Sequence, residues 1–342
     1  MSDTKENHLA QELSNNSAAG PPGEKAPKKR GGIAGHCKRF WWVHLIILVV
    51  CKRTHNAHSV YVAYPKIAQD AVNKSRLNLT YQSIKNPTSD SFDINVTTKI
   101  INHAMYHPKI YSFNADLYLD GSDTPFTTLP IPAVKANNGA LEHISTHSII
   151  NNSVAFTEYV TAVVKQENVT IHLKGKTHLR QGALPKIKVN YKQTLTFAGF
   201  NGLEGLTVTN ISLLSGTQAD GANMAGTVNI PNPTVLIQEL GNLTMQLSLP
   251  ASVANSSSDV DIGTSTVNNT VLYPGTNSFP LRSTVNTLYL LGLIQENTTL
   301  IQDLPMLISG KNVTRNGEEI PWLSDALGNN TVEVHLNLTS AF

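Results

Sequence analysis

Two histidines four positions apart are the first residues in this sequence whose spacing is typical of a metal site. His143 and His147 have the separation of two ligands on one turn of a helix. However, the intervening Ile144-Ser145-Thr146 lacks a helical pattern, and the acid of an HExxH motif is missing. We therefore interpret both histidines as solvated loop residues and predict no metal site.

Other catalytic patterns are also incomplete. Gly175-Lys176-Thr177 resembles the end of a phosphate-binding loop, but Thr170 occupies the place of the leading glycine, and the segment alternates like a strand. There is no Gly-x-Ser-x-Gly elbow, and the two cysteines of the chain both precede residue 52. Asp259 and Asp261 lie in a Ser-rich stretch, which predicts solvated surface acids. The sequence predicts no catalytic residue and no cofactor, and we expect a protein that is not an enzyme.

Asn-x-Ser/Thr, the acceptor motif for N-linked glycans, occurs 13 times after residue 60, where roughly six copies are expected by chance. The candidate acceptors are Asn73, Asn78, Asn95, Asn151, Asn168, Asn210, Asn242, Asn255, Asn268, Asn297, Asn312, Asn329 and Asn337. This excess predicts a glycosylated body in the lumen of a secretory compartment. The alternative is an Asn- and Thr-rich β-protein that contains such motifs by chance.

The segments that carry these motifs have the two-residue periodicity of strands with one buried and one solvated face. The alternating segments are 77–81, 92–96, 111–119, 169–173, 187–191, 206–209, 243–249 and 332–338. Helical periodicity is limited to 156–164, 285–294 and 321–327, and to a short helix at 65–72 with Pro65 in its first turn. Short strands between turns that contain Pro and Gly predict an all-β protein built from antiparallel sandwiches.

An apolar stretch, residues 40–51, precedes this body. It has 12 residues, whereas a spanning helix needs about 20. Because Lys28-Lys29-Arg30 lies before it, the positive-inside rule predicts a single-pass type II protein, with a cytosolic N-terminus and a lumenal body. Polar residues 52–59 interrupt the apolar run, and we hypothesise that they are a gene-model artefact; a signal-peptide core is the alternative. We predict a disordered basic cytosolic tail over 1–36 and a transmembrane segment with a membrane-exit helix over 37–73.

The net charge of +2 conceals an asymmetry along the chain. Residues 1–59 and 60–200 each carry a net charge of +5, whereas residues 201–342 carry −8. A basic module beside the apolar stretch favours an anionic membrane surface as a partner; ordinary surface charge is the alternative. The basic residues are not interleaved with aromatic ones, so we predict no nucleic acid partner.

The body also repeats itself. Three landmarks recur in the same order: Asn86-Pro87-Thr88 and Asn232-Pro233-Thr234, Gln166-Glu167-Asn168-Val169-Thr170 and Gln295-Glu296-Asn297-Thr298-Thr299, and Gly175-Lys176 and Gly310-Lys311. They predict two copies of one module that meet near residue 200. The predicted domains are 74–200 and 201–342.

These motifs resemble those of the LEA-type-two (WHy) domain, in which an Asn-Pro motif follows a strand and a later Gly precedes a Leu-x-Pro-Gly-x-Asn turn. The second copy contains the full set, whereas the first has only the Asn-Pro pair. The matching residues are Asn86 and Pro87 in the first copy, and Asn232, Pro233, Gly263, Pro274, Gly275 and Asn277 in the second. The resemblance implies two tandem immunoglobulin-like β-sandwich domains after one N-terminal transmembrane helix.

The whole arrangement from residue 36 onward is similar to a fungal family of single-pass membrane proteins of unknown function. The family is related to a yeast vacuolar membrane protein that terminates autophagy. Some members are labelled as pre-rRNA processing proteins, for which these residues give no basis. The resemblance implies a vacuolar or other endomembrane location, with the lipid bilayer as a partner.

Two hypotheses for the function follow from the resemblance and the charge pattern. The first is a non-enzymatic lumenal protein that binds or transfers a lipid ligand through its LEA-like domains. The second is a structural or receptor-like protein that acts in vacuolar or autophagy regulation and binds a cytosolic protein through its N-terminal tail.

Overall fold

The computed structural model describes residues 41–52, 62–216 and 218–341, and the chain divides into two compact units, Met1–Ala57 and His58–Phe342. In the first unit, residues 41–52 are helical (α1) and their apolar side chains are mostly exposed. Within the described parts of the chain, the helices are all too short or too polar to cross a bilayer. The predicted tail, and the predicted span at residues 37–40 and 53–61, lie outside the described residues.

The second unit contains five α-helices, each at or near a segment with helical periodicity or a turn. They are α2 (Tyr64–Lys74), α3 (Ser153–Lys165), α4 (Ala251–Ala254), α5 (Thr287–Glu296) and α6 (Pro321–Gly328). The side chains of Asn152 and Asn286 cap α3 and α5 by accepting hydrogen bonds from backbone N–H groups of the first turn. The predicted helices at 65–72, 156–164, 285–294 and 321–327 are confirmed.

Strands make up most of the second unit, which confirms the predicted β-rich class. In the first half they are β1 (Arg76–Lys85), β2 (Ser91–Ile101), β3 (Lys109–Ile110), β4 (Phe113–Leu119), β5 (Pro125–Ile131), β6 (Val134–Lys135), β7 (Leu141–Ile149), β8 (Asn168–Arg180) and β9 (Ile187–Ala198). In the second half they are β10 (Thr207–Leu213), β11 (Met224–Asn232), β12 (Leu236–Leu249), β13 (Val260–Leu272), β14 (Gly275–Val285), β15 (Leu304–Arg315), β16 (Glu318–Glu319) and β17 (Thr331–Leu336).

These strands form two sheets. The six-stranded sheet has the order β5-β4-β8-β3-β6, with β9 along the other edge of β8. The larger sheet has the order β10-β11-β14-β13-β12-β1-β2-β7, and β15 pairs with β12, β16 and β17. Most inward-facing side chains of the two sheets belong to one hydrophobic core, with Phe92 on β2 and Leu117 on β4 as examples. A second, smaller cluster packs α2 against β3, β8 and β9. The first half is therefore a sandwich of β1-β2-β7 against the six-stranded sheet.

The two halves repeat one order of strand pairings. In the first half β1 pairs with β2, β2 with β7, β4 with β5 and β8, and β8 with β9. In the second half the corresponding pairs are β10 with β11, β11 with β14, β12 with β13 and β15, and β15 with β17. Helices α3 and α5 occupy the same place in this order. Gly175 on β8 and Gly310 on β15 are equivalent, as the sequence predicts.

The Asn-Pro landmark is different, and the predicted equivalence of its two copies is wrong. Asn86-Pro87 lies between β1 and β2, whereas Asn232-Pro233 lies between β11 and β12, which is one connection later in the repeat. An Asn-Pro dipeptide suits many turns, because Asn tolerates turn conformations and Pro fixes φ. The same two letters therefore recur at turns that are not equivalent.

The two halves are joined closely. The parallel pairing of β1 with β12 joins them in one sheet, with Gln82 opposite Leu236. The rings of Phe156 on α3 and Trp322 on α6 meet edge to face with centroids 5.0 Å apart. The predicted joint near residue 200 lies in the connection between β9 and β10, within the compact unit that the two halves share.

Candidate functional site

The predicted glycan acceptors lie at accessible positions. All of these asparagines are exposed except Asn242 on β12 and Asn312 on β15, which are half-buried. They lie on strands, in connections between elements and, for Asn73, on α2. The geometry is therefore compatible with glycosylation, and modification itself stays a prediction.

His143 and His147 lie on strand β7, so their predicted placement in a loop is wrong, although the predicted absence of a helix is confirmed. His143 Nδ1 lies 3.0 Å from Thr97 Oγ1, and His147 Nδ1 lies 2.8 Å from Asp93 Oδ1. Hydrogen bonds from Asn86 and then His147 hold the pKa of the Asp93 carboxyl below its usual range. In the described part of the chain no three His, Cys, Asp or Glu side chains are grouped as metal ligands.

In the second copy, the residues that resemble the LEA-type-two motif shape turns and close strand contacts rather than line a pocket. Asn277 accepts a hydrogen bond from the Tyr273 N–H at 2.9 Å and donates to the Tyr273 carbonyl at 2.8 Å, which closes the turn from β13 to β14. Gly275 in that turn has a φ of 99°, which favours glycine. At Gly263 an added Cβ would lie 2.1 Å from the Thr284 carbonyl oxygen, so only glycine allows the strands to approach this closely.

An apolar pocket that the sequence did not predict lies beside α2, and we call it the α2 pocket. It encloses about 270 Å³ between α2, the segment before β3 and the connection from β8 to β9. Its walls are Ala63, Tyr64, Ile67, Ala68, Ala71, Tyr106, Pro108, Leu179, Gln181 and Leu184. Ile67 and Tyr106 at its mouth are 55% and 56% exposed, so the pocket opens to the surroundings.

Helix α2 is held against the edge of the six-stranded sheet. The Gln69 side chain accepts a hydrogen bond from the Asn190 N–H at 2.9 Å and donates to the Asn190 carbonyl at 2.7 Å, which satisfies the free edge of β9. The Gln193 side chain donates to the Val72 carbonyl, and the Gln181 N–H donates to the Tyr64 hydroxyl. These contacts fix one wall of the α2 pocket to the sheet.

The interior of the sandwiches is much more tightly packed. Three internal cavities have volumes of about 70, 50 and 40 Å³. Ligand pockets in proteins usually have volumes of about 300–1,000 Å³. The α2 pocket has a volume that approaches this range and walls that are mostly apolar. A larger surface pocket of about 340 Å³ beside α3 is lined mostly by polar side chains, such as Thr157, Glu158 and Lys165.

The 50 Å³ cavity contains a buried acid that the sequence did not reveal. Glu142 on β7 is 5% exposed, and burial raises the pKa of its carboxyl to about 7. Its Oε1 atom and the Oγ1 atom of Thr98, its cross-strand neighbour, have no hydrogen-bond partner in the described part of the chain. The alternation of β7 could have indicated burial, because Glu142 shares a face with Ile144.

Comparisons with known proteins give little information on function. A family model described as a protein of unknown function (DUF3712) matches residues 124–247. No curated protein matches the chain. A crystal structure of red sea bream transglutaminase is similar over 75% of this chain, at 14% identity and a TM-score of 0.20; the match spans 31% of that chain. A similarity this weak does not inform the function.

Proposed function

We propose that this protein is a membrane-anchored, non-enzymatic lipid-binding protein whose α2 pocket takes an acyl chain. The observation that carries the proposal is an open apolar pocket beside α2, the first helix described after the apolar segment. A volume of about 270 Å³ is just below the usual range for ligand pockets, and it suits one part of a lipid rather than the whole molecule.

The chemistry of the walls supports an acyl chain. They are almost entirely apolar: the Tyr64 hydroxyl accepts a hydrogen bond from the backbone N–H of Gln181, and the buried Oε1 atom of the Gln181 side chain is one polar atom without a partner in the described part of the chain. A charged or strongly polar ligand would find few partners there and would lose hydration without compensation. An apolar chain would instead cover Ile67 and Tyr106, which are otherwise exposed to water.

The proposal also includes a specific type of fold and a location in the cell. We propose that each half is an immunoglobulin-like sandwich of the LEA-type-two kind, which the repeated order of strand pairings supports. We further propose that the body lies in the lumen of the vacuole or another endomembrane compartment, which the accessible glycan acceptors support.

Photo-crosslinking tests the acyl-chain proposal. The full chain would be reconstituted into phosphatidylcholine vesicles that contain a phospholipid with a photoactivatable group on its acyl chain. After irradiation, we expect labelled peptides that contain Ile67, Tyr106 and Leu184. Labelling confined to other peptides would contradict the proposal.

A matched pair of variants provides the control. Ile67→Asp places a charge at the mouth of the pocket, and Ile149→Asp makes the same change on β7, at a side chain that is 61% exposed. Because an uncompensated polar group costs about 1–3 kcal/mol, Ile67→Asp should reduce labelling of Tyr106 and Leu184 at least about fivefold. Ile149→Asp should leave it unchanged, and equal effects of the two variants would also contradict the proposal.

A further inference from the structure

The six-stranded sheet has an unusual charge distribution. Its strands contain seven Lys and Arg residues and one acidic residue, Asp116. Alternation along β8 and β9 places the basic residues of these strands on the solvent side, and Lys109 of β3 lies opposite Arg180. We call this surface the basic face, and its residues are Lys109, Lys174, Lys176, Arg180, Lys188 and Lys192.

The cations of the basic face make no ion pair within the described residues. Lys174 is directly opposite Lys192 across the β8–β9 ladder and opposite Asp116 across the β4–β8 ladder, without a contact short enough for an ion pair. The Lys174 ammonium lies over the Tyr118 ring, 4.0 Å from its centroid. The carboxylate of Asp116 accepts a hydrogen bond from Thr128. Like charges directly opposite each other destabilise a sheet, so an external anion would relieve this repulsion.

The same surface is almost free of glycan acceptors. The strands of the six-stranded sheet contain one, Asn168, at the first residue of β8 and at the opposite end from Arg180. Asn73 lies on α2 beside the sheet edge, and the other acceptors lie on the larger sheet or in connections. A surface without glycans can approach a flat partner closely.

We propose that the basic face binds the anionic lipid headgroups of a membrane surface. This inference rests on the proposed placement of the body beside a membrane, and it does not depend on the acyl-chain site. Arg180, on the basic face, directly precedes Gln181 in the wall of the α2 pocket, so headgroups and an acyl chain could be bound at neighbouring positions. Electrostatic attraction to anionic lipids contributes about 1 kcal/mol per basic residue near the surface.

A second copy of the chain is a less suitable occupant. Residues 201–342 carry a net charge of −8, which is complementary to the basic face, but they also contain eight of the 13 acceptor motifs. Glycans on that half would hinder close contact with the basic face. A membrane reached through α2, whose Gln69 bonds the backbone of β9, meets fewer acceptors, namely Asn73 on α2 and Asn168 at the start of β8.

Fluorescence quenching in proteoliposomes tests the inference. The full chain, with Cys37→Ser and Cys51→Ser, would carry one fluorophore at Asn190→Cys on β9 or at Glu333→Cys on β17. Vesicles of phosphatidylcholine, with or without phosphatidylserine, would contain a lipid with a spin label on its headgroup. We expect stronger quenching at position 190 than at 333, only with phosphatidylserine. Quenching should be lost at about 1 M salt, where the Debye length is about 3 Å.

Two charge-reversal variants distinguish the basic face from net charge. The double variant Lys188→Glu/Lys192→Glu should abolish the quenching at position 190. The double variant Lys85→Glu/Lys99→Glu changes exposed lysines on β1 and β2 and should retain it. A folded state can be checked in both through the emission of Trp322, which is 2% exposed.

Four results would overturn the inference: quenching that does not depend on phosphatidylserine, equal quenching at the two positions, equal effects of the two double variants, or energy transfer between copies that does not depend on lipid. The last result would assign the basic face to a second copy of the chain. Acyl-probe labelling of the α2 pocket in phosphatidylcholine vesicles is measured separately. Labelling of the α2 pocket without quenching at the basic face would therefore support the acyl-chain proposal and contradict the headgroup inference.

Discussion

Replacement of Glu142 by Gln should make the protein more stable at neutral pH and remove part of its pH dependence. Glu142 lies in the sandwich of the first half, in a cavity that it shares with Thr98, Tyr159 and Tyr191. No basic side chain lines this cavity, so ionisation of the carboxyl is not compensated. Glutamine has nearly the same shape and carries no charge.

The magnitude follows from the shift in the pKa of Glu142. Burial raises this pKa from 4.5 to about 7, and one pKa unit corresponds to about 1.4 kcal/mol. The folded state therefore retains a proton that the unfolded chain loses above pH 4.5. Because the folded state binds more protons in this window, the free energy of unfolding falls as the pH rises from 4.5 to about 7. The total loss should be about 3 kcal/mol.

Denaturant unfolding at a series of pH values, followed by tryptophan emission, measures the effect; Trp322 is buried and should dominate the change on unfolding, because Trp41 and Trp42 are already exposed. We expect Glu142→Gln and the wild-type protein to have similar stability below pH 4.5 and to differ by about 3 kcal/mol above pH 7, with the variant more stable. Glu158→Gln, at an exposed position on α3, is the matched control and should leave the pH profile unchanged. Parallel profiles for wild type and Glu142→Gln would refute the reasoning.

Two further predictions concern the glycines and the glycan acceptors. Gly263→Ala should lower the free energy of unfolding, because the added Cβ would lie 2.1 Å from the Thr284 carbonyl oxygen. Gly292→Ala on α5 has no atom within 4 Å of its added Cβ and should raise the free energy of unfolding by about 0.5–1 kcal/mol. Denaturant midpoints measure both variants, and changes of the same sign would contradict the argument. Digestion of the protein from its native cells with an N-glycosidase should increase its electrophoretic mobility, and unchanged mobility would contradict the lumenal placement.

The predictable part of the fold depends on local pattern. The alternation of 243–249 predicts the second half of β12, because apolar and polar residues alternate with burial there. The helix at 65–72 is predicted from Pro65 at its first position. Pairing partners are a different matter, since they depend on residues far apart in the chain. The parallel contact of β1 with β12 joins Gln82 to Leu236, and no local signal indicates it.

The α2 pocket and the basic face could not be predicted for the same reason. The walls of the pocket come from three separate segments, around residues 67, 106 and 181, and each of them alone is unremarkable in sequence. The net charge of the first half was visible, but its concentration on one sheet face depends on the pairing of β8 with β9. The error at His143 and His147 had a local cause: the buried face of β7 carries the polar Glu142 and Ser148, whereas the apolar Leu141 and Ile149 are exposed, so apolar and polar residues do not alternate with burial.

The first Asn-Pro turn contacts side chains of the second half of the chain. Asn86 adopts a φ of 49°, and its N–H donates to Glu239 Oε2 at 2.8 Å. Arg315 donates to both Glu239 and Asn86, and the Trp322 indole N–H donates to the Thr88 carbonyl at 2.8 Å. This turn is therefore held by the second half as well as by its own.

A joint of this kind fixes the two halves in one orientation. The parallel strand contact, the aromatic contact of Phe156 with Trp322 and the Arg315–Glu239 ion pair would all have to break before one half could rotate against the other. A membrane bound by the basic face would then set the orientation of the whole second unit. On the lumenal placement proposed above, the acidic half and its candidate glycan acceptors would face the lumen at a fixed angle, rather than on a flexible linker.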